Sequence, residues 1–351
     1  MRVLVVNAGS SSLKVDLVED GQHLRSYDGL PDPPPQVDAV GHRVVHGGPD
    51  LKDPVVVDVG VERQLSGLVE LAPLHQPKSL AGLSAAQALL PDVPHVVCFD
   101  TAFHATLPPA AYTYPLPRAW RERWGIRRYG FHGLSHEWAS RRARDLAPKA
   151  RRVVTCHLGA GASLAAVLDG RSVDTTMGFT PLDGLVMATR SGGVDPGLVL
   201  WLEEHGGLSP QQVADGLEHD SGLLGLTGTP DMREVLARDD PDAQLALQVY
   251  LHRLAGGIAA MTVGLGGLDA VVFTGGVGER AAPVRQGAAD RLGHLGVAVD
   301  SSVNGGAQPD ADVSQAGAAV RTLVVRSRED LQIAAGVEQA LRSRTRDLAS
   351  R

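Results

Sequence analysis

The chain has 351 residues, of which 43% are hydrophobic and 21% charged, and its formal net charge is −7. This length is sufficient for two domains of common size, and the composition is typical of a soluble globular protein. The acidic balance argues against a nucleic-acid partner, so we expect none. An anionic ligand would have to be met by local positive groups.

Cysteine usage and hydropathy indicate the compartment. The two cysteines, Cys98 and Cys156, each stand next to an apolar run, which fits a reducing compartment and neither a disulfide framework nor a metal site. The most apolar tract, Leu254 to Val277, is interrupted by glycines and Asp269, which favours a buried helix and strand over a membrane span. Four apolar residues after Arg2 are too few for a signal peptide. We therefore expect a cytoplasmic protein without a membrane partner.

Short apolar runs alternate with longer helical patterns along the chain, which predicts an α/β protein. The predicted strands, in chain order, are Val3–Val6, Leu13–Val18, Ala39–Val45, His95–Phe99, Arg152–His157, Ser163–Leu168, Ala270–Thr274 and Arg321–Val325. The predicted helices are Gly82–Leu90, His136–Leu146, Gln244–Val263 and Asp330–Leu341. The segments Pro31–Pro35 and Gly305–Asp312 are predicted to be loops.

The first predicted hairpin has a turn that suits a phosphate. An apolar run enters a turn of Asn7, Gly9 and three serines and leaves through Lys14, so backbone N–H groups, hydroxyls and one ammonium lie within a few residues. Taken alone, this turn could also be an ordinary serine-rich hairpin. Residues 153–164 repeat the plan of strand, small-residue turn and strand, with a spacing that differs by one residue. Two such hairpins predict two related domains that face one cleft, with a boundary near residues 147–150.

Three segments of the first half carry candidate site residues. Arg43 stands among glycines after an apolar run, where it can clamp a carboxylate or phosphate, or form a surface ion pair. Asp100 follows a predicted strand, at the end where α/β sheets gather ligands, although it could also cap a helix. Two glycines bracket Phe131 and His132, which suits close approach of a ligand to the imidazole.

The second half offers a further arginine and a glycine cluster. Arg190 stands alone in a small-residue loop, and a second isolated arginine strengthens the prediction of an anion clamp. The glycines of residues 275–278 lie between a predicted strand and a helix, where backbone can approach a nucleotide. Asp231 to Arg233 precede a helical segment. Glu329 opens the last predicted helix, where interaction with the helix dipole is the simplest role.

Taken in order, these motifs resemble the acetokinase family, within the superfamily of actin-like ATPases and sugar kinases. The segments that carry the resemblance span nearly the whole chain: residues 7–14, 42–48, 99–104, 129–133, 157–159, 189–192 and 275–279. The resemblance implies two duplicated actin-like ATPase (ribonuclease H-like) domains, residues 1–148 and 149–329, with an interdomain active-site cleft. It also implies that a C-terminal helix, about residues 330–351, packs back on the first domain and that the protein is a homodimer.

The same resemblance implies an activity. It is reversible, Mg²⁺-dependent phosphoryl transfer from ATP to acetate, which gives acetyl phosphate and ADP, with Mn²⁺ as an alternative ion. A related kinase acting on propionate is one alternative, because a single methylene discriminates weakly in an apolar pocket. A butyrate kinase is disfavoured, since Val45 should narrow that pocket. A nucleotide-binding member of the superfamily without catalysis is another alternative, although it would not need Arg43, Asp100, His132 and Arg190 together.

The resemblance also implies roles for individual residues. Catalytic roles fall to Asp100, His132 and Arg190, and the metal positions are Asn7 and Glu329. The substrate-binding residues are Arg43, at the acyl carboxylate, and Val45, Leu74, Phe131 and Pro181, around the methyl group. The ATP-binding residues are Ser10, Ser12, Lys14, His157, Leu158, Gly159, Ala160, Gly161, Asp231, Met232, Arg233, Gly275, Gly276, Val277, Gly278 and Glu279.

Three positions depart from the family pattern. Ala160 stands where the family usually has Asn, and Arg280 stands where it often has Asn. Gly193 stands where the family usually has an acid. The chain is also shorter than is usual for the family, with deletions expected near Pro31 and Pro49. These departures bear on phosphate affinity and nucleotide choice, whereas every matched catalytic position is retained.

Overall fold

The computed structural model describes residues 1–8, 13–72 and 75–349 of the chain. They form two compact units. The first unit contains residues 1–105, 131–138 and the C-terminal segment from Arg328, and the second contains residues 106–130 and 139–327. Residues 106–130, which precede the predicted boundary near residue 148, belong to the second unit because they bond to it. For example, Thr106 Oγ1 donates to the Ser172 carbonyl, and Arg128 Nη1 donates to the Thr176 carbonyl.

A mixed sheet forms the centre of the first unit. Its described strands are β1 Arg2–Ala8, β2 Leu13–Glu19, β3 Gln22–Asp28, β4 Ala39–Val44, β5 Val55–Val56 and β6 His95–Phe99, in the spatial order β3-β2-β1-β4-β6-β5. β1, β4 and β6 are parallel, so their carboxyl ends share one edge of the sheet. These three strands are almost entirely buried because helices cover both faces of the sheet.

The second unit repeats this sheet. Its described strands are β7 Arg152–Leu158, β8 Ala162–Leu168, β9 Arg171–Thr175, β10 Ala270–Thr274, β11 Ala311–Asp312 and β12 Arg321–Val324, in the spatial order β11-β12-β10-β7-β8-β9. Each strand pair has the same sense as its counterpart in the first unit. Both units also carry a register shift between the second and third strands. The mixed α/β architecture of two similar domains is therefore as predicted.

Helices connect the strands and cover the sheets. Their bounds are α1 Val59–Gly67, α2 Gln76–Leu89, α3 Pro109–Tyr112, α4 Arg118–Trp124, α5 Gly133–Leu146, α6 Pro196–Glu204, α7 Pro210–His219, α8 Gly222–Thr227, α9 Met232–Ala237, α10 Pro241–Leu265, α11 Gly275–Arg280, α12 Ala282–Arg291, α13 Ser301–Gly305 and α14 Glu329–Ala349. In the described part of the chain, no helix is long and apolar enough to cross a membrane.

The C-terminal helix α14 covers one face of the first sheet. Ile333 and Val337 pack against Val3 and Val5 of β1 in a fully buried cluster. Gly41 of β4 permits this close approach, since a Cβ there would lie 2.7 Å from the Val337 side chain. The helix α2 covers the opposite face. In the second unit, the long helix α10 packs on β7 and β8.

Every strand predicted from an apolar run is present, and all four predicted helices are present with longer bounds. The polar edge strand β3 was not predicted because its side chains are mostly exposed. The segment Gly305–Asp312 was predicted to be a loop. It contains the short strand β11, which pairs with Leu323 and Val324 of β12.

Candidate active site

In the first unit, the carboxyl ends of β4 and β6 bring Arg43 and Asp100 together. Arg43 Nε lies 3.1 Å from Asp100 Oδ1 and 3.0 Å from Oδ2, and Arg43 Nη2 lies 2.5 Å from Oδ2. Both carboxylate oxygens of Asp100 therefore accept hydrogen bonds from the guanidinium. This arrangement holds Arg43 in one orientation.

Burial and charge act together on this pair. Asp100 is 1% exposed, and burial raises the pKa of its carboxyl group while Arg43 opposes the rise. Burial by itself lowers the pKa of Arg43, but the Asp100 and Glu329 carboxylates raise it well above its ordinary value. A guanidinium held in this way stays charged and rigid, which suits it to bind an anionic substrate.

A tight turn places His132 next to Asp100 in the chain fold. The Gly133 N–H donates to the Asp100 carbonyl at 2.8 Å, and a Cβ on Gly133 would lie 2.2 Å from that oxygen. A glycine is therefore required at residue 133. His132 has a φ of +56°, a conformation that is uncommon outside glycine and that clusters at functional sites.

The predicted metal positions also lie together in the first unit. Asn7, at the end of β1, donates from Nδ2 to Glu329 Oε2 at 2.9 Å, and Asn7 Oδ1 lies 3.4 Å from Arg43 Nη1. An amide oxygen and a carboxylate are hard ligands of the kind that Mg²⁺ takes. The described residues contain no cluster of three or more His, Cys, Asp and Glu.

The predicted acyl-pocket residues are divided between the two units. Val45 follows β4 and Phe131 lies in the tight turn; both are buried in the first unit. Phe131 is fixed by its carbonyl, which accepts from His104 Nε2 at 3.0 Å, and by edge contact with the His46 ring. Pro181 belongs to the second unit. Leu74 lies outside the described residues, as do Ser10 and Ser12 of the predicted ATP-binding set.

In the second unit, a cavity of about 510 Å³ gathers part of the predicted ATP-binding set. From that set it is lined by Gly159, Ala160, Asp231, Met232, Arg233, Gly276 and Val277. Asp231 begins α9, where its carboxylate accepts from the Arg233 backbone and side chain, which lowers its pKa to about 2. The volume is that of a small-molecule site.

The glycine cluster forms the start of α11. Gly275 has a φ of +78°, and a Cβ there would lie 2.8 Å from the Leu158 carbonyl at the end of β7. A glycine thus lets α11 begin directly beside β7. Glu279 does not line the cavity: its Oε1 accepts from the Ser327 N–H at 2.9 Å, and burial raises its pKa.

Other described residues of the predicted ATP-binding set do not line this cavity. In the second unit, these are His157 and Leu158 at the end of β7, Gly161, and Gly275 and Gly278 of α11. Lys14 belongs to the first unit, where it is exposed on β2 opposite Asn7. Their ligand contacts remain predictions.

Arg190 of the second unit donates from Nη1 to the Pro181 carbonyl at 2.7 Å. Burial lowers the pKa of Arg190, and the Glu218 carboxylate opposes this effect. Within the described residues no carboxylate forms an ion pair with Arg190. Its charge is thus less compensated than that of Arg43, as expected for a group that meets an anionic ligand.

Sequence reasoning missed part of the cavity wall. Leu223 and Leu236 are apolar residues of short helices, and Tyr250 lies in the middle of α10. Such residues give the same pattern as ordinary core positions, so no signal in the sequence separates them from the core. Arg280, noted above as a departure from the family, also lines the cavity.

Comparison with known proteins identifies the family. The model of the Acetokinase family matches residues 22–335. The chain belongs to the acetokinase family. It is therefore a kinase whose phosphoryl acceptor is a carboxyl group.

Relatives within this family are close in sequence and structure. The acetate kinase of Gloeobacter violaceus is 50% identical over 319 residues, which cover 88% of this chain and 78% of the relative. A solved acetate kinase from Porphyromonas gingivalis has a TM-score of 0.88 at 34% identity, covering 97% of this chain and 99% of that one. A propionate kinase from Francisella tularensis has a TM-score of 0.89 at 34% identity, covering 96% and 98%.

Proposed function

We propose that this protein transfers a phosphoryl group reversibly between ATP and acetate, giving acetyl phosphate and ADP. The observation that carries the proposal is the Arg43–Asp100 pair, which presents a fixed, charged guanidinium at the carboxyl ends of β4 and β6. A protein that only binds a nucleotide has no need of such a clamp. The similarity to curated acetate kinases supports the same conclusion.

Phosphoryl transfer to acetate requires charge neutralisation rather than proton transfer. Acetate is ionised at neutral pH, so its oxygen can attack phosphorus without a general base. The barrier arises from repulsion between an anionic nucleophile and the anionic γ-phosphate. Positive groups placed where charge is concentrated lower this barrier. We assign that role to Arg43, His132 and Arg190.

Within Arg43, the nitrogen best placed for substrate is Nη1. Nε and Nη2 are committed to Asp100, whereas Nη1 makes only the 3.4 Å contact to Asn7 Oδ1 among the described residues. We propose that Nη1 binds the acetate carboxylate and that Asp100 is the residue that orients Arg43. Val45 and Phe131, both buried, would then contact the methyl group.

We propose Mg²⁺ as the ion, with Mn²⁺ as an alternative, held by Asn7 and Glu329. The donor set fits, because an amide and a carboxylate within hydrogen-bond distance supply hard oxygen ligands. When bound, the ion neutralises charge on the transferring phosphates. Asn7 and Glu329 orient each other through their hydrogen bond, so loss of either should weaken metal dependence.

We propose that the cavity of the second unit binds the nucleotide. Its predominantly apolar wall suits a nucleobase, and the start of α11 offers backbone N–H groups for phosphates. Lys14, His157 and the remaining glycines of the predicted set would supply further phosphate contacts.

Acetate is favoured over propionate because the curated relatives at 47–50% identity are acetate kinases. Propionate remains a second candidate acceptor, since a propionate kinase is as similar in structure as an acetate kinase. A hydroxamate assay for acyl phosphate, with ATP, Mg²⁺ and each of acetate, propionate and butyrate, tests the proposal. We expect product with acetate. No product with any of the three acids would identify a nucleotide-binding protein without this catalysis.

We also propose a cytoplasmic homodimer. The helix α6 supports the proposal of a dimer, because none of its residues is buried although its sequence is strongly apolar. Leu200 and Trp201 are 56% and 54% exposed, and such a patch is typical of a protein interface. Light scattering should give twice the chain mass. Trp201→Glu should give the monomer, whereas Trp124→Glu, at an equally exposed tryptophan of α4, should leave the dimer intact.

A further inference from the structure

The loop between β9 and α6 is long for a connection inside a compact unit. Residues 176–195 contain neither a helix nor a strand, whereas most connections have about 4–6 residues, and ordered loops of this length are usually functional. This loop carries Pro181 and Arg190, to which the proposed reaction gives roles at the acyl pocket and in charge neutralisation. Side chains from elsewhere must hold it in one conformation. Arg128, which has no role in the mechanism above, is placed to do so.

Arg128 binds both ends of the first part of this loop. Its Nη1 donates to three successive carbonyl oxygens at 3.2, 2.9 and 2.9 Å, those of Thr175, Thr176 and Met177. The same nitrogen lies 3.5 Å from Asp183 Oδ2. The Arg128 side chain is 20% exposed, so these contacts are largely removed from water. A single guanidinium group therefore joins the start of segment 175–183 to its end.

Two tyrosines near Arg128 in the chain support the same segment. Tyr114 Oη accepts from the Phe179 N–H at 2.9 Å, and the Tyr129 N–H donates to the Gly178 carbonyl at 3.0 Å. The packing is close, since a Cβ at Gly178 would lie 2.3 Å from Tyr114 Oη. Segment 175–183 is thus held by its backbone, and Arg128 supplies the charged contact.

Segment 175–183 in turn determines where the guanidinium of Arg190 lies. Arg190 Nη1 donates to the Pro181 carbonyl at 2.7 Å, which is the one hydrogen bond of this guanidinium within the described part of the chain. Pro181 stands between the two points at which Arg128 binds the segment, so a displacement of the segment would move this carbonyl. Misplacement of a reacting group by about 1 Å can reduce a rate about 100-fold.

We propose that Arg128 is a positioning residue for the kinase reaction. It holds segment 175–183, which fixes the Arg190 guanidinium through the Pro181 carbonyl and keeps the Pro181 ring at the acyl pocket. Arg128 needs no contact with the substrate in this role. A positive group lowers the barrier when it is preorganised where charge develops, and a rigid segment provides that preorganisation for Arg190. The inference rests on the proposed function, because that function gives Pro181 and Arg190 their roles.

The test is Arg128→Gln, which removes the charge and the guanidinium fork. We expect kcat for acetyl phosphate formation to fall about 10- to 100-fold. The ratio of kcat/KM for acetate to that for propionate should fall about threefold or more, because the Pro181 wall is no longer fixed. The KM for ATP should stay within about twofold of the wild-type value, since segment 175–183 contributes no residue to the proposed nucleotide cavity. Arg128→Lys should recover part of the loss, because an ammonium keeps the charge and N–H donors.

A double variant tests the route through Arg190. If Arg128 acts by fixing Arg190, the kcat losses of Arg128→Gln and Arg190→Ala should not multiply when the two changes are combined. Losses that multiply fully would show that the two arginines act independently, and would overturn the inference.

The control is Arg121→Gln, at an arginine of α4 whose Nε donates to the Leu116 carbonyl at 3.2 Å, outside segment 175–183. It should change neither kcat nor the ratio. A merely structural role of Arg128 would lower the melting temperature and the active fraction but leave the ratio unchanged, and that result would overturn the inference.

A second variant decides the matter if Arg128→Gln does not fold. Tyr114→Phe removes the oxygen that accepts from the Phe179 N–H and keeps the ring. It should lower kcat and the ratio in the same direction by a smaller factor, and unchanged values would overturn the inference. A wild-type protein that forms no acyl phosphate from acetate, propionate or butyrate would instead overturn the proposed function.

Discussion

The two units share one sheet plan but differ in the groups at the carboxyl ends of their equivalent strands. By strand register, Asn7 of the first unit is equivalent in position to His157 of the second, and Arg43 is equivalent to Thr274. In the first unit the position after the third parallel strand is Asp100, which binds Arg43, whereas its counterpart is Ser327, whose N–H holds Glu279. The first unit therefore presents an ion pair and the second a glycine-rich helix start.

This difference shows that one sheet plan can present different groups at equivalent strand ends. A duplicated sheet fixes where the strand ends lie, and the residues after those ends decide the chemistry. A bidentate ion pair suits a small carboxylate, because it holds a guanidinium rigidly in its charged form. In the proposed nucleotide site, glycines would let the backbone approach the ligand, and the apolar cavity would bind the rest of it.

The change with the largest expected effect is Asp100→Asn, which keeps the shape of the side chain and removes its charge. An amide nitrogen facing the guanidinium breaks the bidentate pair, so Arg43 loses its fixed orientation. We expect kcat for acetyl phosphate formation to fall at least about 100-fold and the KM for acetate to rise, because Arg43 is the residue assigned to the acetate carboxylate. Steady-state kinetics on protein shown by circular dichroism to be folded would measure this.

The control for this change is the equivalent position of the second unit. Ser327 contributes its backbone N–H to Glu279, and Ser327→Ala retains that group. We expect kcat of Ser327→Ala to stay near the wild-type value. A nearly normal kcat for Asp100→Asn, or an equal loss in both variants, would contradict the assigned difference between the units.

A smaller effect is expected for Gly275→Ala in the second unit. The left-handed backbone and the 2.8 Å approach to the Leu158 carbonyl both oppose a side chain there. We expect the free energy of unfolding to fall by about 1–3 kcal/mol and the KM for ATP to rise, with the KM for acetate unchanged. Gly256→Ala, at an exposed helical glycine with no atom within 4 Å of the added Cβ, is the control. An effect mainly on the KM for acetate would be the opposite of this expectation.

The smallest effect concerns a buried histidine pair of the first unit. His42 Nε2 lies 2.9 Å from His95 Nδ1, and the other His95 nitrogen lies 3.0 Å from the Leu90 carbonyl. Burial lowers the pKa of His42 to about 3, and it also lowers that of His95. Strand register places Phe273 and Thr322 at the equivalent positions of the second unit.

The unfolded chain binds a proton at His42 below about pH 6.5, whereas the folded protein stays neutral there down to about pH 3. The contribution of neutral His42 to the free energy of unfolding is thus complete above about pH 6.5 and is lost as the pH falls below that value. At pH 5.5 we expect His42 alone to reduce the free energy of unfolding by about 1.4 kcal/mol relative to pH 7.5. Denaturant titration of His42→Phe/His95→Thr should show a smaller loss over the same interval. An unchanged pH dependence would locate the effect elsewhere.

The sequence was sufficient to predict the parts of the fold that rest on continuous apolar runs. β1, β6 and β10 consist largely of such runs because both faces of the sheets are covered. The edge strand β3 and helices such as α6 were not predicted, since β3 is polar and α6 has no buried face to give a periodic pattern.

The predicted site residues were those that stand beside glycines or at the ends of predicted strands. Arg43, Asp100 and His132 stood out because glycines or strand ends surround them, and the structure brings Arg43 and Asp100 into contact. The partner of Arg43 could not be derived from spacing, because the two residues are 57 positions apart. Tyr250 could not be found at all, since an aromatic residue in an apolar helix is the ordinary pattern of a core.

The most direct test of acetate as the acceptor is the ratio of kcat/KM for acetate to that for propionate, measured with saturating ATP and Mg²⁺. A pocket narrowed by Val45 and Phe131 should discriminate against one methylene by about 1–3 kcal/mol. We therefore expect a ratio of roughly 10 or more in favour of acetate. A ratio at or below about one would contradict this and would make propionate the acceptor.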